Sequence, residues 1–172
     1  MRTKLWFAIV AVGILAVVVA PPLAGAETIK EKNRTVYHMT KVEVIPVGDV
    51  PGHIIAIADA RGLVFIEGGE VLAFSNKIWF DVTNGSGPHW AYFINTFPDG
   101  STRVGKAQGT TTALPSKEST FEGTFTLIKG TGRWEEIQGE GTYTGRRLAP
   151  LTPGGPADSY MDSTWTYTLP SR

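Results

Sequence analysis

The chain has 172 residues with 16 basic and 16 acidic side chains, 20 glycines, 11 prolines and no cysteine. The charge balance excludes the basic footprint of a nucleic-acid binder. The missing cysteines exclude disulfides and an acylated lipoprotein anchor, so stability has to come from a hydrophobic core.

Arg2 and Lys4 precede an uncharged apolar run from Leu5 to Ala20, followed by Pro21, Pro22 and the small triplet Ala24-Gly25-Ala26. The run is 16 residues long, shorter than the ~20 residues that span a bilayer comfortably. With its positive start and Ala-x-Ala site, it predicts a secretory signal peptide over residues 1–26, cleaved between Ala26 and Glu27. An uncleaved N-terminal anchor is the alternative. Processing leaves residues 27–172, a single β-barrel domain of 146 residues with 14 basic and 16 acidic side chains and a net charge of −2. The expected destination is secreted or periplasmic, with no stable membrane insertion after cleavage. Two matches to the glycosylation acceptor pattern, at Asn33 and Asn84, carry no weight because such matches arise often by chance.

Beyond the leader, Gly, Pro, Asn and Asp cut the chain into short runs rich in Val, Ile, Thr, Phe, Tyr and Trp. This pattern predicts strands over 35–46, 53–67, 70–82, 89–97, 101–112, 119–129, 140–148 and 160–169, with no amphipathic helix. Gly68-Gly69 suits a two-residue hairpin, and Pro98-Asp99-Gly100 suits a type I turn closed by a left-handed glycine. Eight antiparallel neighbours joined by short turns form an up-and-down meander, and closing it into a barrel removes the exposed edges. Such an interior holds packed side chains or one small ligand.

Alternation assigns faces within the strands. Phe121, Phe125 and Leu127 share one face of 119–129, opposite Glu122, Thr124 and Thr126. Met161, Trp165, Tyr167 and Leu169 oppose Asp162, Thr164, Thr166 and Thr168 in the last run. The 53–67 run is apolar on both sides, with Ile54, Ala56, Ala58, Ala60, Val64 and Ile66 against Ile55, Ile57, Leu63 and Phe65. A strand buried on both faces implies an apolar lumen or an outer wall covered by another subunit. Without a helix to cover it, a homo-oligomer, dimer or trimer, is expected.

The block 130–143, Gly-Thr-Gly-Arg-Trp-Glu-Glu-Ile-Gln-Gly-Glu-Gly-Thr-Tyr, resembles that of the allene oxide cyclase-like barrel superfamily. That group includes plant dirigent proteins and bacterial secreted proteins, and this chain is similar to the latter. The resemblance implies an eight-stranded antiparallel barrel, commonly oligomeric, in a group containing cyclases, guides of coupling reactions and proteins without activity. Trp134 and Ile137 would plug one barrel end there. A lipocalin is the nearest rival, but its Gly-x-Trp lies on the first strand, whereas Gly132-Arg133-Trp134 lies far downstream. The plant cyclases use a cysteine absent from this chain, so no catalytic residue carries over.

Polar side chains on apolar faces are the remaining candidates, because a buried polar group needs a partner or a purpose. Asp59 and Arg61 interrupt one face of 53–67, and Asn76 interrupts Leu72, Phe74, Ile78 and Phe80. One reading places acid, cation and amide inside a greasy cavity, with Asp59 and Asn76 as catalytic candidates and Arg61, Trp79 and Tyr92 as ligand contacts. The other makes Asp59 and Arg61 an ion pair at a surface or subunit contact, with Asn76 at a bulge. His38, His53 and His89 show no short metal-ligand spacing, and neither a metal site nor a cofactor is expected. Arg133, Arg146 and Arg147 could form a basic rim that attracts an anion, or could simply be solvated. The functions considered are a barrel that binds a small apolar ligand in its lumen, an isomerase or cyclase acting on an apolar substrate, and a filled barrel with a structural or interaction role.

Overall fold

The computed structural model describes residues 27–152 and 157–170; the expected signal peptide lies outside them. Eight antiparallel strands follow one another around a closed barrel, each paired to its neighbours in sequence and the last to the first. They are β1 (Glu27–Pro46), β2 (His53–Ile66), β3 (Val71–Thr83), β4 (Gly87–Thr96), β5 (Thr102–Ala113), β6 (Ser119–Thr131), β7 (Gln138–Arg147) and β8 (Ala157–Leu169). A single 3₁₀ turn, Gly132–Trp134, joins β6 to β7. This is the up-and-down barrel expected from turn spacing, and closure leaves no unpaired edge.

β1 begins at Glu27, eight residues before the expected start at 35. Residues 27–39 pair with β8, and from Asn33 onward the strand also pairs with β2. The extension is polar and carries no apolar alternation, so it gains order from the staggered pairing that closes a tilted barrel. An irregularity between Met39 and Lys41 shifts the inward phase from odd to even positions, so that Tyr37, Met39 and Val42 all face the core. The 67–70 connection is longer than the two-residue hairpin expected, with the Gly69 amide donating to the Ile66 carbonyl and the Ile66 amide to that of Glu70. The turn at Pro98-Asp99-Gly100 forms as expected: Gly100 has φ +82° and its amide donates to the Phe97 carbonyl at 2.9 Å.

The inner wall alternates small and large side chains around the circumference. β2 presents Ala56, Ala58 and Ala60, whereas β3, β6 and β8 present Phe74, Ile78, Phe80, Phe121, Phe125, Trp165 and Tyr167. The aromatics meet across the lumen: Phe125 and Trp165 lie 4.4 Å apart between centroids, and both approach Phe93 at 5.7 Å. These contacts form the core that replaces disulfides. The larger apolar face of β2, with Ile55, Ile57, Leu63 and Phe65, points outward and is exposed.

The two barrel ends differ. At the end carrying the 3₁₀ turn, Trp134 and Ile137 are buried as expected and close the lumen. Arg103, fully buried at 0% exposure, sits between the rings of Phe97, Trp134, Trp165 and Tyr167 with its guanidinium carbon 4.5–5.6 Å from their centroids. Its counter-charge is Glu31, from the unexpected part of β1, at 3.0 and 3.3 Å, and Tyr167 donates its hydroxyl to the same carboxylate at 3.0 Å. The opposite end is bounded by the 47–52, 84–86 and 114–118 connections and by the C-terminus of β7.

Candidate functional site

Alternation on seven strands, all but β2, converges on one cavity of about 50 Å³ inside the barrel, between the Arg103 plug and the opposite end. Its walls are mostly apolar: Met39, Phe74, Ile78, Phe80, Phe93, Phe121, Phe125 and Met161. Polar groups enter at two levels.

The middle level is an amide pair. Asn95 on β4 opposes Phe74 of β3, and Asn76 lies two residues farther along β3, diagonally across on the same inner face. Asn95 is 1% exposed, and neither its Oδ1 nor its Nδ2 has a hydrogen-bond partner; Asn76 Oδ1 is likewise buried and unpartnered. Leaving a buried donor or acceptor unmade costs about 1–3 kcal/mol, and large numbers of such groups are rare in native proteins. The three atoms form a donor and acceptor set turned toward an otherwise apolar space.

The upper level is a histidine–tyrosine pair. His89 on β4 and Tyr143 on β7 meet at 2.7 Å between Nε2 and Oη, while His89 Nδ1 lies 3.0 Å from the Thr111 hydroxyl on β5. Tyr143 reaches across because β5 and β6 present Gly109 and Gly123 beneath it; a Cβ at Gly123 would fall 2.5 Å from the phenol oxygen. Burial, assisted by the nearby Arg147 charge, lowers the His89 pKa to about 4, so the ring is neutral near pH 7. Burial also raises the Tyr143 pKa, and pushes that of Tyr37 on the same wall up to about 12. The pair therefore presents two neutral groups, each able to donate or accept.

The residues picked out from the sequence separate. Asn76 lines the cavity. Asp59 and Arg61 do not; both belong to the outward face of β2, and Asp59 pairs with Lys77 at 2.7 Å and not with Arg61. The reading that placed acid and cation in the lumen is corrected accordingly. It erred because β2 is apolar on both faces, and the inner one is that with the small alanines. Trp79 and Tyr92 also lie on the outer wall, where Trp79 stacks near-parallel on Trp90 at 6.2 Å and approaches Tyr92 at 5.8 Å. They line a surface groove with Lys106, Gln108 and Thr126. The three arginines of the supposed basic rim are dispersed. Arg133 lies within the 3₁₀ turn and pairs with Glu70, Arg146 faces Glu118, and of the three only Arg147 enters the lumen.

The sequence pattern alone does not assign His89, Asn95 or Arg147 to the lumen. The signal was present in β4, where His89, Ala91, Phe93 and Asn95 alternate with Trp90, Tyr92 and Ile94. The other histidines are elsewhere: His38 meets Asp158 on the outer wall, and His53 bridges Asp49 and Asp81 beside the 47–52 connection. Among the described residues, no group of three His, Asp or Glu side chains is arranged to hold a metal ion.

Fold and site together define a closed, single-lumen antiparallel β-barrel with polar groups set into an apolar interior. Among solved structures, the chain is similar to two pterocarpan synthase dirigent proteins. One, GePTS1, is 12% identical over 85% of this chain and 88% of its own, with a TM-score of 0.49. The other, PsPTS1, is 12% identical over 84% of this chain and 96% of its own, with a TM-score of 0.41. No protein-family profile and no curated protein matches the sequence.

Proposed function

We propose that the barrel binds a small, mainly apolar molecule in its lumen, outside the cytoplasm, and that binding rather than turnover is its role. The observation that carries this reading is the buried amide of Asn95, unpartnered at both polar atoms and facing an apolar cavity together with Asn76 Oδ1. A ligand hydroxyl accepts from Asn95 Nδ2 and donates to one of the two amide oxygens, and a ligand carbonyl accepts from Nδ2, while the ligand body contacts the phenylalanines, the arrangement of few polar groups in an apolar pocket that small-molecule sites share. A cavity of about 50 Å³ corresponds to roughly three or four water-sized groups. Larger occupants require Met39 and Met161 to change rotamer, which unbranched thioether chains do readily. Export is supported by the leader pattern of residues 1–26.

The test follows the side-chain amide signals of Asn76 and Asn95 in ¹H–¹⁵N spectra during titration with cyclohexanone and 1-butanol. Both signals shift and saturate while that of the turn residue Asn84 stays in place. If no lumen signal moves up to the solubility limit of both probes, the reading fails.

One observation favours an isomerase or cyclase as a second reading: the His89–Tyr143 pair lines the same cavity and offers a bound substrate a neutral imidazole and a phenol already in hydrogen-bond contact. We further propose that a second copy of the chain covers the outer face of β2. There Ile55 pairs with Ile45, Leu63 with Val36 and Phe65 with Val71, forming two exposed apolar areas on either side of the charged Asp59–Lys77 band.

A further inference from the structure

Arg147 ends β7 with its side chain inward and is 3% exposed. Its Nε donates to the Ala149 carbonyl at 3.1 Å and its Nη2 to the Ser119 hydroxyl at 2.9 Å. Both acceptors are neutral, and the guanidinium has no carboxylate partner among the described residues. Neighbouring Arg146 makes the contrast: it turns outward, with its Nε 2.8 Å from Glu118. At the other barrel end Arg103, buried to the same degree, has Glu31.

A guanidinium stays charged at any physiological pH, and a charge removed from water is costly unless an opposite charge accompanies it. Burial lowers the Arg147 pKa, which is the mark of that cost. The surroundings are suited to an anion. Ser159, directly across the β7–β8 pairing from Arg147 and paired on its other side with Tyr37, is buried and adds no charge. Tyr37, Tyr143 and His89 line the same cavity and are neutral near pH 7, so nothing there repels a negative group.

We propose that Arg147 holds the carboxylate of a small organic acid whose apolar body extends through the cavity toward Asn76 and Asn95. This rests on the lumen-binding reading and adds to it the charge and direction of the ligand. A planar guanidinium offers paired N–H groups that match the two oxygens of a carboxylate, and charge-assisted bonds of this kind are roughly twice as strong as neutral ones. The short space available selects a chain of a few carbons, or a single ring once Met39 and Met161 have moved.

The experiment is calorimetric titration of the mature protein at pH 7 in a chloride-free buffer, using two matched pairs, sodium butyrate with 1-butanol and sodium benzoate with benzyl alcohol, and sodium chloride as a separate arm. The acid of at least one pair binds about tenfold or more tighter than its alcohol, consistent with one charge-assisted contact. Arg147→Met abolishes that preference while still taking up the alcohol, and Arg147→Lys keeps part of it. Equal affinity for acid and alcohol in the unmodified protein overturns the inference and leaves lumen binding standing. Chloride binding as tightly as both acids also overturns it, since a bare anion site has no use for an apolar body. If neither acids nor alcohols bind, the lumen reading falls and takes the carboxylate site with it. The comparison of acid with alcohol in the unmodified protein needs no variant to fold.

Discussion

Acidification should destabilise this barrel through one residue. His89 is 6% exposed and its pKa is lowered to about 4 by burial and by Arg147, whereas in the unfolded chain it titrates near the ordinary value of about 6.5. Between these values the unfolded state binds the proton and the folded state does not, so stability falls as pH falls. The contribution is fully present above about pH 6.5; linkage makes the loss about 2 kcal/mol by pH 5 and about 3 kcal/mol by pH 4. His53 works in the opposite direction, because its hydrogen bonds to Asp81 and Asp49 raise its pKa and favour the folded state on protonation. The assay is therefore a difference: urea unfolding at pH 7, 5.5, 5 and 4 for the unmodified protein and for His89→Gln, whose amide can still bond to Tyr143. The unmodified protein loses about 2–3 kcal/mol more than the variant across this range. Parallel losses in the two proteins would refute a buried neutral His89.

Three further outcomes can be checked. Glu31→Ala leaves Arg103 charged, buried and unpaired, so urea unfolding shows a loss of about 3–5 kcal/mol, whereas the double replacement Glu31→Leu with Arg103→Met is close to neutral. A single-variant loss below about 1 kcal/mol would contradict the plug as described. Gly123→Ala drives a Cβ against the Gln108 carbonyl and the Tyr143 hydroxyl, so thermal unfolding reports a loss of about 1–3 kcal/mol. Ile57→Lys on the exposed face of β2 shifts the mass measured by light scattering from oligomer to monomer without lowering the melting temperature of the barrel; an unchanged mass would count against a partner copy on that face.

What the sequence disclosed follows from the kind of information alternation carries. Strands such as β6 and β8, apolar on one side and threonine-rich on the other, can be oriented without a structure because only one face can be buried. β2 resists this treatment since both of its faces are apolar. Its larger side chains lie outside because aromatics from β3, β6 and β8 already crowd the lumen, leaving space there only for Ala56, Ala58 and Ala60. Asp59 and Arg61 went outward with the larger face. The first turn of pairing in β1 was illegible for another reason: the 27–34 stretch has only Ile29 as an apolar marker, and its order comes from β8, more than a hundred residues away. Glu31 lies in that stretch, so the Arg103 plug could not be assembled from local pattern. The lumen polar set was nearer to hand. His89 and Asn95 share a period with Ala91 and Phe93, and Arg147 shares one with Tyr143, but pairing them requires knowing which faces meet across a closed barrel.

The most direct measurement of the central claim is native mass spectrometry of the mature protein taken from its own cell envelope without refolding, alongside Asn95→Leu prepared in the same way. A ligand held in the lumen gives a stoichiometric small-molecule adduct on the unmodified chain that is lost in the variant, while the variant stays folded, because replacing a buried amide with an apolar side chain of similar size is near neutral for stability. A bare protein mass for both, or an adduct that the substitution leaves unchanged, would contradict a ligand held by Asn95 in the lumen.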